Sequence, residues 1–151
     1  MTRVRVDPTG AWGRLVGPGT SRVENAGTLG GALVGGALGW RATGGTAPQR
    51  IAAALLCADL VGGAWANNTP TTRAWYHRAG TTRVDRLGFT AMHVHPFVAV
   101  WLWDTPLPYA AAAYAYALIG SAVVGAIPVR RQFAAGWALT AFGAAAGAIR
   151  L

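Results

Sequence analysis

Residues 87–103 read LGFTAMHVHPFVAVWLW, an apolar and aromatic run in which only Thr90, His93 and His95 are polar. Such a run is either the interior of a soluble domain or a segment immersed in lipid, and the choice between them decides the fold. Its surroundings favour lipid. Ala26–Trp40 and Ile51–Ala66 on one side, and Tyr109–Ile127 and Phe133–Ile149 on the other, are also continuous apolar runs, with the arginines concentrated between them. A soluble bundle would instead interleave charges with apolar residues at helical spacing. The expectation is an all-α polytopic membrane bundle of five transmembrane helices. Each run is roughly 15–20 residues, slightly under the ~20 that cross a hydrocarbon core, so flanking residues or a locally thinner bilayer must supply the difference.

The composition agrees with lipid. The chain has 151 residues, 53% hydrophobic and 12% charged, and the charged share is about half that of an ordinary soluble domain. Thirteen basic residues, all arginine, face five acids for a net charge of +8. With so few polar residues around them these arginines do not form a nucleic-acid surface, and no nucleic-acid partner is expected. The absence of lysine excludes a Schiff-base or phosphate-loop lysine, and the single Cys57 excludes an internal disulfide and a CxxC motif. With five crossings and a cytoplasmic N-terminus, ten arginines fall inside and three, Arg41, Arg50 and Arg150, outside, as the positive-inside rule requires. The alternative is four spans plus a re-entrant or interfacial segment at 26–40, because six of its fifteen residues are glycine; a cleavable signal there is disfavoured by the length of the arginine-bearing stretch before it. Residues 1–22 then form a cytoplasmic tail, and 23–151 one transmembrane domain with a cytoplasmic loop at 67–86. The alanine, glycine and arginine bias points to a high-GC bacterial gene and a multi-pass protein of the plasma membrane.

Gly27, Gly31, Gly35 and Gly39 recur every fourth residue, and Gly143 and Gly147 repeat the spacing. Such faces mark close helix approach, either within the chain or across a homodimer.

The candidate site lies where polar residues enter the apolar runs. Asp59 is the one acid well inside a run, and an intramembrane carboxylate is a functional hypothesis by default. Counted from the expected inner boundary, Asp59, His95 and His93, Ser121 and Thr140 share a depth of about 12 Å at ~1.5 Å per residue. His93 and His95 would sit about 200° apart on an ideal helix, but Pro96 disfavours helical geometry just before it and is expected to kink the span, opening a pocket or turning both imidazoles toward it. The catalytic candidates are Asp59, His95, His93 and, at the inner rim, His77. The substrate-binding candidates are Asn67, Arg73, Tyr76 and Arg78 from the loop, and Tyr114, Tyr116 and Ser121 from the fourth span.

This set fits general acid/base chemistry, with an Asp-oriented imidazole moving a proton on a hydrophobic substrate. It fits other chemistries less well. A metal would take Asp59, His93 and His95, but no zinc-binding HExxH is present and no metal or other cofactor is expected. A Ser121–His95–Asp59 triad lacks a nucleophile elbow, and haem lacks a second histidine on another span. No aspartate-rich motif or dinucleotide fingerprint is present. The expected function is therefore a small integral membrane isomerase, cyclase or hydrolase acting without cofactor on a lipid- or isoprenoid-like substrate. The alternatives are a proton-linked transporter or channel subunit using the same relay, and a non-catalytic membrane assembly subunit.

Overall fold

A computed structural model describes residues 10–148 as eight helices and connecting turns, with no strand among the described residues. The chain divides between Thr81 and Thr82 into two compact units.

The first unit is built on a hairpin of two long helices, α2 (Arg22–Ala42) and α3 (Ala47–Asn68), preceded by the short α1 (Ala11–Val16) and followed by α4 (Pro70–Tyr76). Each long helix starts at a sequence-encoded cap. Ser21 Oγ accepts from the Glu24 amide at 3.2 Å while Glu24 Oε2 accepts from the Ser21 amide at 2.7 Å, a reciprocal capping box. Thr46 and Gln49 open α3 in the same way, the Thr46 amide donating to Gln49 Oε1 at 2.9 Å, with Pro48 in the first turn.

The glycines determine how α2 and α3 meet. A Cβ on Gly31 would lie 3.2 Å from the Val61 carbonyl oxygen, and one on Gly62 2.9 Å from that of Thr28. At Gly35 and Gly39 an added Cβ would collide with the carbonyl oxygens of Cys57 and Ala53. The glycine face of α2 is thus filled by α3 of the same chain, backbone against backbone. Most leucines of the two helices point away from this seam, Leu33 being 76% and Leu55 67% exposed, whereas Ala53 at the contact is 0%; Leu56 is buried, and Trp65 packs on Gly27. Small residues inside and large ones outside is the reverse of a water-soluble helical hairpin.

The second unit comprises α5 (Arg83–Ala91), α6 (His95–Trp103), α7 (Leu107–Ala126) and α8 (Val129–Ala148). Thr82 and Asp85 form a third capping box at the start of α5, and both α5 and α6 pack along α7. The Gly143 and Gly147 positions of α8 receive aromatic side chains of α7: a Cβ on Gly143 would be 3.0 Å from the Tyr116 ring, and one on Gly147 3.2 Å from the Tyr109 hydroxyl.

The five-span bundle is not what forms, nor is its four-span alternative. Among the described residues only α7 is both long enough and apolar enough to cross a membrane, with a mean hydropathy of 1.5 over its most apolar window. The expected helices at 26–40 and 51–66 are present inside α2 and α3, but glycine contributes almost nothing to the hydropathy of α2, and α3 carries Asp59, Asn67 and Asn68. The run 87–103 is cut into two nine-residue helices, each only ~14 Å long at ~1.5 Å per residue. Arg130, Arg131 and Gln132 lie within the first turn of α8. The ten-to-three partition of arginines assumed five crossings, and the cytoplasmic placement of the N-terminus loses that support with them.

Candidate functional site

The break between α5 and α6 is where the sequence concentrates its chemistry. Helix α5 ends at Ala91, the Val94 amide donates to the Met92 carbonyl at 2.9 Å in a tight turn, and α6 begins at His95 with Pro96 in its first turn. Proline is preorganised for that position and needs no amide partner there, so the expected kink becomes a full restart of the helix. As a result the two imidazoles, which a continuous helix would place on opposite sides, stand edge to face with ring centroids 5.3 Å apart. Both are half-buried.

His93 is fixed further. Its Nδ1 lies 2.7 Å from the Phe89 carbonyl oxygen, and its ring meets the Phe89 ring at 4.6 Å between centroids. A carbonyl can only accept, so this bond places the proton on Nδ1 and leaves Nε2 of the neutral ring with a free lone pair. A backbone-anchored imidazole of this kind serves as a general base or a metal ligand. Among the described residues no group of three or more His, Cys, Asp or Glu side chains assembles a metal site.

Helix α7 supplies the wall behind the break. Tyr114 Oη donates to the Ala91 carbonyl at 2.6 Å, satisfying the open end of α5, and its ring lies 5.3 Å from that of Phe97. Thr90 Oγ1 donates to Ser121 Oγ at 2.9 Å. Tyr114 and Ser121 thus hold the broken helix in place. Tyr116 faces α8 instead, its hydroxyl donating to the Leu139 carbonyl at 2.6 Å, and Thr140 bonds back to Gly136 of its own helix at 2.9 Å.

The remaining candidates belong to the first unit. Asp59 sits on the exposed side of α3, so its carboxylate is not enclosed within that unit. Asn67 is exposed near the end of α3. His77 is the exposed C-terminal cap of α4, which also carries Arg73 and Tyr76. Tyr76 Oη donates to the Leu15 carbonyl at 2.9 Å; burial pushes its hydroxyl pKa up, and the nearby positive charge of Arg78 offsets this in part. Arg78 stacks on Trp75, its guanidinium carbon 3.8 Å from the ring centroid, and Nη1 donates to the Trp75 carbonyl at 2.6 Å.

These loop residues belong to an ordered polar cap that the sequence reading missed. Thr72 Oγ1 donates to the Val16 carbonyl at 2.6 Å and Trp75 Nε1 to the Arg14 carbonyl at 3.2 Å, docking α4 on α1, while Trp12 Nε1 donates to Asn25 Oδ1 at 2.8 Å. Glu24 joins α2 to α4: Oε1 accepts from the Thr71 amide at 3.1 Å and Oε2 from Thr71 Oγ1 at 3.0 Å. Burial pushes the Glu24 pKa up, but the hydrogen bonds from Ser21 and Thr71 outweigh it and hold the carboxyl below its ordinary value. The signal for Glu24 was present as Ser21-x-x-Glu24; Thr72 and Trp12 carried none.

No protein-family model, no curated protein and no solved structure matches the chain, so the functional reading rests on this geometry.

Proposed function

We propose that the chain is an integral membrane protein that performs cofactor-free acid/base chemistry on a hydrophobic, lipid-like substrate at the His93–His95 pair. The observation that carries the chemistry is the helix break, which holds two half-buried imidazoles 5.3 Å apart. With Nδ1 of His93 donating to Phe89, Nε2 is the basic atom, and the second ring provides an adjacent group able to return the proton. Isomerisation by removal and return of a proton requires just this: one base, one acid and no redox partner.

The lipid setting is supported by where the large side chains lie. The outer faces of α2 and α3 carry Leu29, Leu33, Leu38, Leu55 and Leu60, all exposed, and only 6% of the most apolar stretch of α7 is buried. An apolar area of this extent is unfavourable in water, whereas hydrocarbon accepts it. We place these faces against acyl chains and the protein in the bacterial plasma membrane.

The bonds made by Tyr114 and Ser121 favour a second reading, a non-catalytic assembly subunit, because both hydroxyls are engaged in holding helices together. One experiment separates the two. Lipid extracts of cells lacking the gene are compared by mass spectrometry with extracts after complementation by wild type and by His93→Gln/His95→Gln. The enzyme reading expects a lipid species that accumulates without the gene, is cleared by wild type and persists with the double histidine variant. Full complementation by that variant would favour the assembly reading.

A further inference from the structure

Beside the polar cap of the first unit lies an open cleft of about 1230 Å³, bounded by the Pro18–Asn25 segment on one side and by α4 on the other. Its lining is amphipathic: Val23, Pro70 and Trp75 give apolar wall, and Arg22 and Arg78 are the cations. The one carboxylate in it, Glu24, is engaged by three donors, the Ser21 amide, the Thr71 amide and the Thr71 hydroxyl. Arg78 is held by its stacking on Trp75 and by one bond to a carbonyl, which uses one of the five N–H donors of a guanidinium.

We propose that this cleft binds the phosphate headgroup of an anionic phospholipid. With Glu24 counted, Arg22 and Arg78 leave the lining one positive charge, which a phosphodiester monoanion balances; a guanidinium donates readily to phosphate oxygens, and the apolar wall accepts the glycerol and the first acyl carbons. A lipid is favoured over a free anion because Val23, which lines the cleft, is 73% exposed and belongs to α2, whose Leu29, Leu33 and Leu38 are exposed as well. Trp65 caps the same end of the hairpin, its Nε1 donating to the Glu24 carbonyl at 3.2 Å, as an amphipathic indole does at a headgroup boundary. This inference rests on the membrane reading of the protein and adds to it a specific lipid class.

The test uses full-length protein in phosphatidylcholine nanodiscs, challenged with short-chain phosphatidylglycerol or short-chain phosphatidylcholine and read by native mass spectrometry. The wild type is expected to retain phosphatidylglycerol about 5-fold or more over phosphatidylcholine, since two cations act together on one charge. Arg22→Gln/Arg78→Gln should lose that preference. Arg83→Gln/Arg130→Gln, which makes the same change in net charge outside the cleft, should keep it. Equal retention of the two lipids by wild type, loss of preference in both double variants, or displacement by inorganic phosphate at matched ionic strength would each overturn the headgroup site. Failure of the wild type to enter any nanodisc is a different outcome, and it removes the membrane reading itself.

Discussion

Glu24 shows how much one residue can connect. It closes the capping box of α2, fastens α4 through Thr71, and stands in the cleft without an uncompensated carboxylate. Its pKa is lowered in the folded state from an ordinary 4.5, so it contributes stability that is fully present above 4.5 and is lost as the pH falls through the depressed folded value. Glu24→Gln keeps an amide oxygen for the capping box but removes the charge behind three accepted hydrogen bonds, so it should cost about 1 kcal/mol at neutral pH and should flatten the acid limb of stability below that point. Denaturation of both forms in detergent between pH 3 and pH 7 would check it, and parallel acid limbs would contradict the assignment. The glycines permit a sharper comparison, because neighbours in sequence differ in surroundings. Gly35→Ala places a methyl against the Cys57 carbonyl and should destabilise the hairpin by about 1–3 kcal/mol. Gly30→Ala meets nothing within 4 Å and should be neutral or stabilising by up to about 1 kcal/mol through helix propensity.

Elements were legible in the sequence wherever a local code wrote them. The apolar runs at 26–40 and 51–66 mark the bodies of α2 and α3, the four-residue glycine repeat marks their seam, and Ser21-x-x-Glu24, Thr46-x-x-Gln49 and Thr82-x-x-Asp85 mark three helix starts. The seam could be read as close packing but not as packing within the chain, since spacing does not identify the partner helix. The docking of α4 on α1 was not legible in the 67–86 stretch, because it rests on single hydrogen bonds from Thr72, Trp75 and Tyr76 to backbone carbonyls about sixty residues away, and these leave no periodic trace. Pro96 foretold a disturbance, and His93 and His95 were catalytic candidates together with Asp59 and His77, which lie in the other unit. The extent of the disturbance depended on Tyr114 donating to the freed Ala91 carbonyl at the end of α5, a contact that sequence spacing does not encode. Pro96→Ala should let α5 and α6 join, carrying the imidazoles apart by about 200°. Backbone carbon chemical shifts of Met92–His95 should move to helical values in that variant; unchanged shifts would assign the break to the α7 contacts rather than to proline.

For the whole molecule, the arginine and hydropathy patterns led to an expectation of five spans, whereas the described residues hold one helix long and apolar enough to cross a membrane. Hydropathy treats a run as uniform, whereas here one run is broken by a turn, another is diluted by glycine and a third carries an acid, Asp59. What persists is a hairpin with small residues inside and large ones outside, and one apolar helix that the protein itself barely covers. The account's central claim is that these outward faces lie in hydrocarbon. It is tested most directly by nitroxide labels at Leu33→Cys and Leu55→Cys in a Cys57→Ala background, reconstituted in lipid vesicles, with collisions measured against oxygen, which concentrates in hydrocarbon, and against a water-soluble nickel chelate. The account predicts high oxygen and low nickel accessibility at both sites. High nickel accessibility would place these leucines in water and contradict it, and low accessibility to both reagents would place a protein partner where the account puts lipid.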